Sequence, residues 1–465
     1  MSVEISKQRF VKVAVPCPLY KTFDYRVPAS LGNQSIQTGI RVRVPFGRQK
    51  LIAIIIEEVA ASEVPLNKLK SLISILDERS LFNNDVLKLL FWSAQYYVHP
   101  LGEVMQTALP VYLRNHDDAR PLLTEYWYIN RSHKLTADEA RTSLKNAPRQ
   151  LQLFQLLMDA DAAVNNSGLD SYALNRLTEN WRPAIKALLQ KQLVKQAVKP
   201  AVLLAENTSS YNIQLNSEQT KAVNSIQNHN HKHAVHVLNG VTGSGKTEVY
   251  LALCRSLLSE NKQVLILVPE IGLTPQLTQR FLEQLNTAIV ILHSAMNDRQ
   301  RYAAWHAAAS NQAQLVIGTR SSIFTPMPEL GLIIVDEEHD GSYKQQDGFR
   351  YNARDLAIVR ARNNNIPVLL GSATVSLETL NNINEQRYQP HFLKHRANKK
   401  PLPRLELINL CSQKLHEGMA ETLLSKIRQH LEQQGQVLLF INRRGFAPLL
   451  MCHDCGWTTN CLRCD

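Results

Sequence analysis

No stretch of this sequence reaches the ~18 consecutive apolar residues of a membrane-spanning helix. Its first residues, Met1-Ser-Val-Glu-Ile5, lack the basic and apolar segments of a secretory signal. These absences predict a cytoplasmic chain without a membrane partner. Cysteine is scarce: Cys17, Cys254 and Cys411 stand alone, and the other four of the seven fall between positions 452 and 464. In a reducing compartment that distribution excludes a disulfide-stapled fold and points the crowded four to metal. Acid is in deficit, with 40 Asp and Glu against 52 Lys and Arg, a net charge of +12 that favours a polyanionic partner. What is present describes an ordinary globular protein, 44% hydrophobic and 20% charged. At 465 residues it is long enough for about three domains, since single cores stop growing near ~250 to 300 residues.

The most informative stretch is Gly240-Val-Thr-Gly-Ser-Gly-Lys-Thr-Glu248, which satisfies G-x-x-x-x-G-K-[ST]. An apolar run, Ala234 to Leu238, precedes it, and Val249, Tyr250, Leu251, Leu253 and Leu257 follow at helical spacing. Strand, glycine turn and helix start are the setting a P-loop requires. Gly240, Gly243 and Gly245 let backbone N–H groups close around phosphate oxygens, and the helix N-terminus adds partial positive charge. Lys246 can reach the β- and γ-phosphates of a nucleotide, and the Thr247 hydroxyl can hold Mg²⁺.

Short apolar runs at 234–239, 264–268, 289–293, 314–318, 331–335 and 367–371 alternate with helical periodicity, the pattern of a parallel sheet covered on both faces. The run Gly331 to Val335 ends in Asp336-Glu-Glu-His-Asp340. An acid at the end of a parallel strand lies on the sheet edge where ligands bind. Asp336 can therefore hold Mg²⁺ through its water shell, and Glu337 can orient and deprotonate an attacking water.

Before the P-loop, Arg41 to Gly47 and Leu51 to Ile56 read as strands of a small β-rich module closed by a helix from Asp85 to Tyr97. Phe23-Asp24-Tyr25 and Phe46-Gly47-Arg48 fall near its turns, where pattern alone makes the aromatics plugs of a small barrel. Helices at Arg149–Met158, Ser171–Thr178 and Pro183–Leu193, followed by a strand at Leu193–Val198, suggest a winged-helix-like module. Its Arg182, Lys186, Lys191 and Lys195 either meet phosphates or form a solvated face. A polar linker lies near 206–211, and Asn216 or Ser217 caps the next helix.

The strings Pro269-Glu-Ile-Gly-Leu-Thr-Pro-Gln276, Gly318-Thr-Arg-Ser321, Asp336-Glu-Glu-His339, Gly371-Ser-Ala-Thr374 and Asn442-Arg-Arg-Gly-Phe-Ala447 stand in the order of superfamily 2 helicase motifs. With the P-loop string, they make the chain resemble the primosomal replication-restart helicases from about Val11 to its last residue. The resemblance implies an ATP-dependent 3′ to 5′ DNA helicase that recognises stalled or collapsed forks and initiates primosome reassembly. It implies that Gln219 reads adenine and that Thr319, Arg320 and Ser321 lie on the DNA backbone. It makes Ser342 to Tyr351 an aromatic-rich loop in which Tyr343, Phe349 and Tyr351 stack on bases while Lys344 and Arg350 meet phosphates. It also implies a pocket for a free DNA 3′ end at Phe23, Asp24, Gly47 and Lys70, where the carboxylate accepts a hydrogen bond from the terminal ribose hydroxyl. The implied partners are branched forks, single-strand DNA-binding protein, primosome loading proteins and a replicative helicase loader, met by a monomer.

Cys452-x-x-Cys455 and Cys461-x-x-Cys464 have zinc-knuckle spacing. All four can close one tetrahedral site, although five residues is a short span between pairs; the resemblance instead gives each pair to a different one of two zinc ions. The expected architecture is multidomain α/β: a 3′-end-binding β-rich module at 1–110, a winged-helix-like module at 115–200 and a RecA-like helicase lobe at 206–425. Residues 426–465 would begin a second lobe and the Cys-rich zinc region. The chain stops at Asp465, so the resemblance makes it C-terminally truncated, with impaired turnover and unwinding. Two other readings stay open, a fork-binding loading scaffold with dispensable ATP turnover and another superfamily 2 translocase.

Overall fold

A computed structural model of the chain describes residues 8–31, 34–119, 124–131, 139, 142–163, 168–170, 174, 178, 180–199, 214–229, 232–269, 275–285, 287–396, 404–409, 415–416 and 419–440. The chain divides into two units, Met1–Lys399 and Lys400–Asp465.

The first unit opens with an antiparallel sheet of β1 (Arg9–Ala14), β2 (Phe23–Val27), β3 (Arg41–Phe46), β4 (Gln49–Val59) and β5 (Ser74–Ile75), ordered β2-β1-β4-β3-β5. A parallel bridge from Arg26 to Ser71 and a hydrogen bond from the Tyr25 hydroxyl to the Pro45 carbonyl bring β2 back towards β3, curling the sheet. Alternation along β1 and β3 buries Val11, Val13, Val42 and Val44 inside the curl. Helices α1 (Asn84–Tyr96), α2 (Leu101–Ala108) and α3 (Val111–Asn115) follow. A three-stranded sheet comes next, with β6 (Thr124–Ile129) between β7 (Leu169–Asp170) and β8 (Val194–Lys199), beside α4 (Pro148–Ala163) and α5 (Trp181–Gln190). Its own core holds Trp127, Phe154, Leu157, Trp181 and Leu188. The expected helix at Ser171–Thr178 falls largely outside the described residues.

The rest of this unit is a parallel lobe. Its strands are β9 (Val235–Gly240), β10 (Gln263–Leu267), β11 (Ile289–Leu292), β12 (Leu315–Gly318), β13 (Leu330–Val335), β14 (Val368–Ser372) and β15 (Gln389–Leu393). They form one seven-stranded sheet, ordered β11-β12-β10-β13-β14-β9-β15, with every pairing parallel. Six of these strands match the apolar runs to within a residue at each end. The seventh, β15, has no apolar signal: it is an edge strand that tolerates Pro390 and buries only Leu393. The helices are α6 (Ser217–Gln227), α7 (Lys246–Ser259), α8 (Pro275–Gln284), α9 (Asp298–Ala309), α10 (Ala353–Asn364) and α11 (Leu377–Asn384).

The helices after the barrel dock on this lobe. Val86, Leu89 and Leu90 of α1 share a core with Leu356 and Ala357 of α10. Within that apolar contact the buried Asp85 carboxylate accepts from Arg360 Nε at 2.9 Å and Asn364 Nδ2 at 3.1 Å, so neither charge is left uncompensated. The second unit contains β16 (Leu415–His416) antiparallel to β17 (Met419–Ala420), then α12 (Glu421–Glu432). Asn442–Ala447 and Cys452, Cys455, Cys461 and Cys464 lie outside the described residues.

Candidate nucleotide site and nucleic-acid interface

The P-loop runs from the end of β9 into α7. Gly243 and Gly245 adopt φ of +79° and +82°, the left-handed region that glycine enters without a Cβ clash. A Cβ on Gly240 would come within 2.5 Å of the Ser244 hydroxyl oxygen, so glycine is needed for the close turn. That hydroxyl is buried without a hydrogen-bond partner among the described residues. An orphaned hydroxyl in a glycine cradle at a helix N-terminus fits phosphate oxygens well. Thr247 is the second residue of α7 and half-buried. Lys246 Nζ lies 3.4 Å from the Gly240 carbonyl oxygen and 3.4 Å from Glu337 Oε1. The lysine thus bridges the cradle and the acidic run.

Asp336 follows β13 directly. Its carboxylate accepts from the Tyr250 hydroxyl at 2.8 Å, and burial pushes its pKa up against that hydrogen bond. Glu337 is half-exposed and has φ of +45°, a costly conformation for a residue with a side chain. Such strain persists where surrounding structure enforces it, here two residues that are fixed on either side.

The residue on the far side is Glu338, to which the sequence reading gave no role. It is buried, 2% exposed, and accepts from Ser376 N at 2.7 Å, Thr379 Oγ1 at 3.0 Å and Arg354 Nη1 at 3.2 Å. His339 Nδ1 lies 2.8 Å from Ser372 Oγ. The acidic run is therefore divided, with Asp336 and Glu337 facing the P-loop and Glu338 and His339 fastening the run to the turn after β14. Acids followed by Gly371-Ser-Ala-Thr and then by Ser376 and Thr379 were the available signal.

Gln219, the residue expected to read adenine, is tied into the chain at both ends of its side-chain amide. It is buried at position N3 of α6 in a capping box, its Oε1 accepting from Asn216 N at 2.8 Å and its Nε2 donating to the Ser244 carbonyl at 3.0 Å. Both ends of the amide are committed to the chain, one of them to the P-loop itself.

The aromatic loop requires a correction. Tyr343, Phe349 and Tyr351 are buried, at 1%, 3% and 2% exposure, rather than open to bases. The Tyr343 hydroxyl lies 2.5 Å from the Asp336 carbonyl and 3.0 Å from that of Leu267, while Phe349 and Tyr351 pack on Phe324 and on each other. Phe349 also meets Tyr97, brought from α1. Stacking on bases is unavailable to these rings in this state because residues far away in sequence cover them. Lys344 and Arg350 remain exposed, and Lys344 Nζ donates to the Arg350 carbonyl at 2.6 Å. Arg320 is half-buried, and its Nη1 donates to the carbonyls of Ser342 and Lys344 at 2.8 and 3.0 Å, gripping the loop. Thr319 N-caps the short 3₁₀ turn Arg320–Phe324.

In the barrel, the Phe23 and Phe46 rings meet edge-on at 5.1 Å, both half-buried against the core, so they serve in part as the expected plugs. Gly47 follows Phe46 with φ of +57° and open space around it. Asp24 is half-buried and accepts from the Ser62 hydroxyl at 2.5 Å. Lys70 is exposed, and its carbonyl accepts from Arg26 N at 2.9 Å, which ties it beside β2. Phe23 and Asp24 thus stand on β2, Lys70 beside it and Gly47 in the β3–β4 turn after Phe46, with Lys21 Nζ 5.2 Å from the Phe23 ring centre.

Residues 12–110 match the 3′DNA-binding domain (3′BD) of PriA, and residues 216–383 match the DEAD/DEAH box helicase family. Replication restart protein PriA of Haemophilus influenzae is 42% identical over 98% of this chain and 62% of its own length. The PriA of Chlamydia trachomatis is 33% identical over 98% of this chain and 61% of its own, and that of Bacillus subtilis 28% identical over 96% and 63%. The chain therefore spans less than two thirds of the length of these relatives. With a match to the 3′ DNA-binding domain followed by one to the helicase domain, and similarity running through almost every residue, the chain is similar to replication restart protein PriA along nearly its whole length.

Proposed function

We propose that this chain recognises forked DNA through a free 3′ end and uses ATP as a 3′ to 5′ DNA helicase in replication restart. The observation that carries the reading is the meeting of Lys246, Asp336 and Glu337 at one edge of the parallel sheet, on a glycine cradle with an orphaned Ser244 hydroxyl. Bound with Mg²⁺, ATP supplies the phosphoryl group whose transfer to water drives strand movement. The chain's own residues account for the rest. Backbone N–H groups of the cradle and Lys246 hold the phosphates. Asp336 and Thr247 are the residues that would hold the metal. Once Lys246 turns to phosphate, the 3.4 Å contact to Glu337 is released and that carboxylate can take a proton from water.

Fork recognition is assigned to Phe23, Asp24, Gly47 and Lys70, with Arg320, Lys344 and Arg350 along the DNA backbone. For Arg320 to reach phosphate it must give up the Ser342 and Lys344 carbonyls, which makes the buried loop that holds Tyr343 and Phe349 responsive to DNA. Resemblance to the restart proteins also gives zinc to the two cysteine pairs, and single-strand DNA-binding protein, primosome loading proteins and a replicative helicase loader as partners. ATP turnover measured with forks whose 3′ end is free or blocked tests the reading. Stimulation by the free-ended fork, absent in Lys246→Ala, is expected; turnover unchanged by Lys246→Ala contradicts it.

A further inference from the structure

Tyr250 lies outside the motifs that define the candidate site, yet two of them meet at its hydroxyl, and the helix that carries it begins in a third. It stands one turn after Lys246 on α7 and is 2% exposed. Its hydroxyl donates to Asp336 Oδ1 at 2.8 Å. On its other side is Gly371, the glycine of Gly-Ser-Ala-Thr: a Cβ there would lie 1.8 Å from the Tyr250 hydroxyl oxygen and 3.0 Å from Cζ. The Gly371 carbonyl in turn accepts from Glu338 N at 3.0 Å. Glycine at 371 thus makes room for the phenol, and the phenol reaches the carboxylate.

An aspartate beyond the end of a strand can rotate about two side-chain bonds. Here the backbone is fixed by the Asp336 N–H donating to Leu267 O at 2.9 Å, and one carboxylate oxygen is held by the hydroxyl of a buried phenol. Because that ring rides on the helix that begins with Lys246 and Thr247, the carboxylate is set relative to the phosphate cradle itself. The second oxygen, which takes no part in that hydrogen bond, would be the one available to a metal's bound water.

We propose that Tyr250 is a positioning residue, whose hydroxyl presets the Asp336 carboxylate for Mg²⁺ while Gly371 keeps the space it needs. The proposal rests on the nucleotide-site reading above and is separable from it by experiment. Binding of a fluorescent ATP analogue is measured with and without Mg²⁺ for the wild-type chain, Asp336→Asn, Tyr250→Phe, Gly371→Ala and the Tyr250→Phe/Gly371→Ala double variant. Wild type gains affinity with Mg²⁺, and Asp336→Asn loses that gain. Tyr250→Phe loses about tenfold of it, the weight of one hydrogen bond to a charged group, with unchanged affinity in the absence of Mg²⁺. Gly371→Ala, which drives the hydroxyl away by sterics rather than deletion, loses a similar share. The double variant falls no further, since both changes remove one contact. If Tyr250→Phe does not fold, the Gly371→Ala loss alone decides. A full Mg²⁺ gain in Tyr250→Phe overturns the proposal, as does an equal loss with and without Mg²⁺, which denotes packing only. Absence of nucleotide binding in wild type, or a full gain in Asp336→Asn, overturns the nucleotide-site reading and the proposal with it.

Discussion

Asp336 in the parallel lobe and Asp24 in the barrel are both half-buried carboxylates assigned to a ligand, but they are held by different kinds of neighbour. Asp336 is half-buried, with Tyr250 on its side chain and the Tyr343 hydroxyl at its carbonyl. Asp24 is half-buried and held by the single hydroxyl of Ser62. A preset carboxylate beneath a glycine cradle suits a ligand whose shape never varies, such as a metal-bound triphosphate. An open carboxylate beside the half-buried Phe23 suits a strand end that arrives in many postures, where selection needs one hydrogen bond and little enclosure. The lobe therefore carries its specificity in preorganisation, and the barrel carries it in what the ligand offers.

If that contrast holds, damage on the two sides differs in kind. The largest effect is expected from Glu338→Ala, which removes one of the two carboxylates paired with Arg354 and takes the shared acceptor from Ser376 and Thr379 in a buried network. Denaturant unfolding should report a loss of about 3 kcal/mol, and an unchanged midpoint removes Glu338 as the fastening of the acidic run. Lys246→Ala should leave stability nearly unchanged while weakening nucleotide binding about a hundredfold, the upper range for hydrogen bonds to a charged group. Retained nucleotide affinity would break the comparison on the lobe side.

A smaller effect is expected from pH. His236 on β9 is buried with Nδ1 3.0 Å from His391 Nε2, and burial lowers its pKa from 6.5 to about 3 and lowers that of His391 as well. The unfolded chain takes up protons below pH 6.5 that the folded lobe refuses, so stability is full above that pH and declines as pH falls towards 3. Between pH 7 and 5.5 the loss from His236 is about 1 kcal/mol. His236→Gln should flatten the decline in an unfolding series, and an identical slope would show that the acid response lies elsewhere.

The lobe was legible in the sequence because its chemistry demands particular residue types at strand ends, and its strands are runs of buried apolar residues. Gly240 to Thr247 and Asp336 to Glu337 fall where those runs stop. Three features were hidden, each for its own reason. The edge strand β15 has no apolar pattern because only Leu393 enters the core. Burial of Phe349 and Tyr351 depends on Tyr97 and Phe324, and that of Tyr343 on the strand ends at Leu267 and Asp336, so mixed aromatic and charged residues read as an exposed loop. The Asp85 to Arg360 pair joins residues 275 positions apart and leaves no local trace. In the barrel, pattern gave β3, the middle of β4 and the two aromatic plugs but not β1, β2 or β5, and the role of Asp24 came from resemblance alone, since a half-exposed acid near a turn is ordinary.

Recognition of the free 3′ end by an open carboxylate is the claim on which the barrel half of this account depends. Its most direct test is the affinity of the wild-type chain and Asp24→Ala for forks whose 3′ end is a free hydroxyl or is blocked by phosphate. The account predicts that wild type prefers the free end about fivefold, one hydrogen bond's worth, and that Asp24→Ala binds both forks alike. Equal affinities in all four combinations, or a preference that survives in Asp24→Ala, would contradict it.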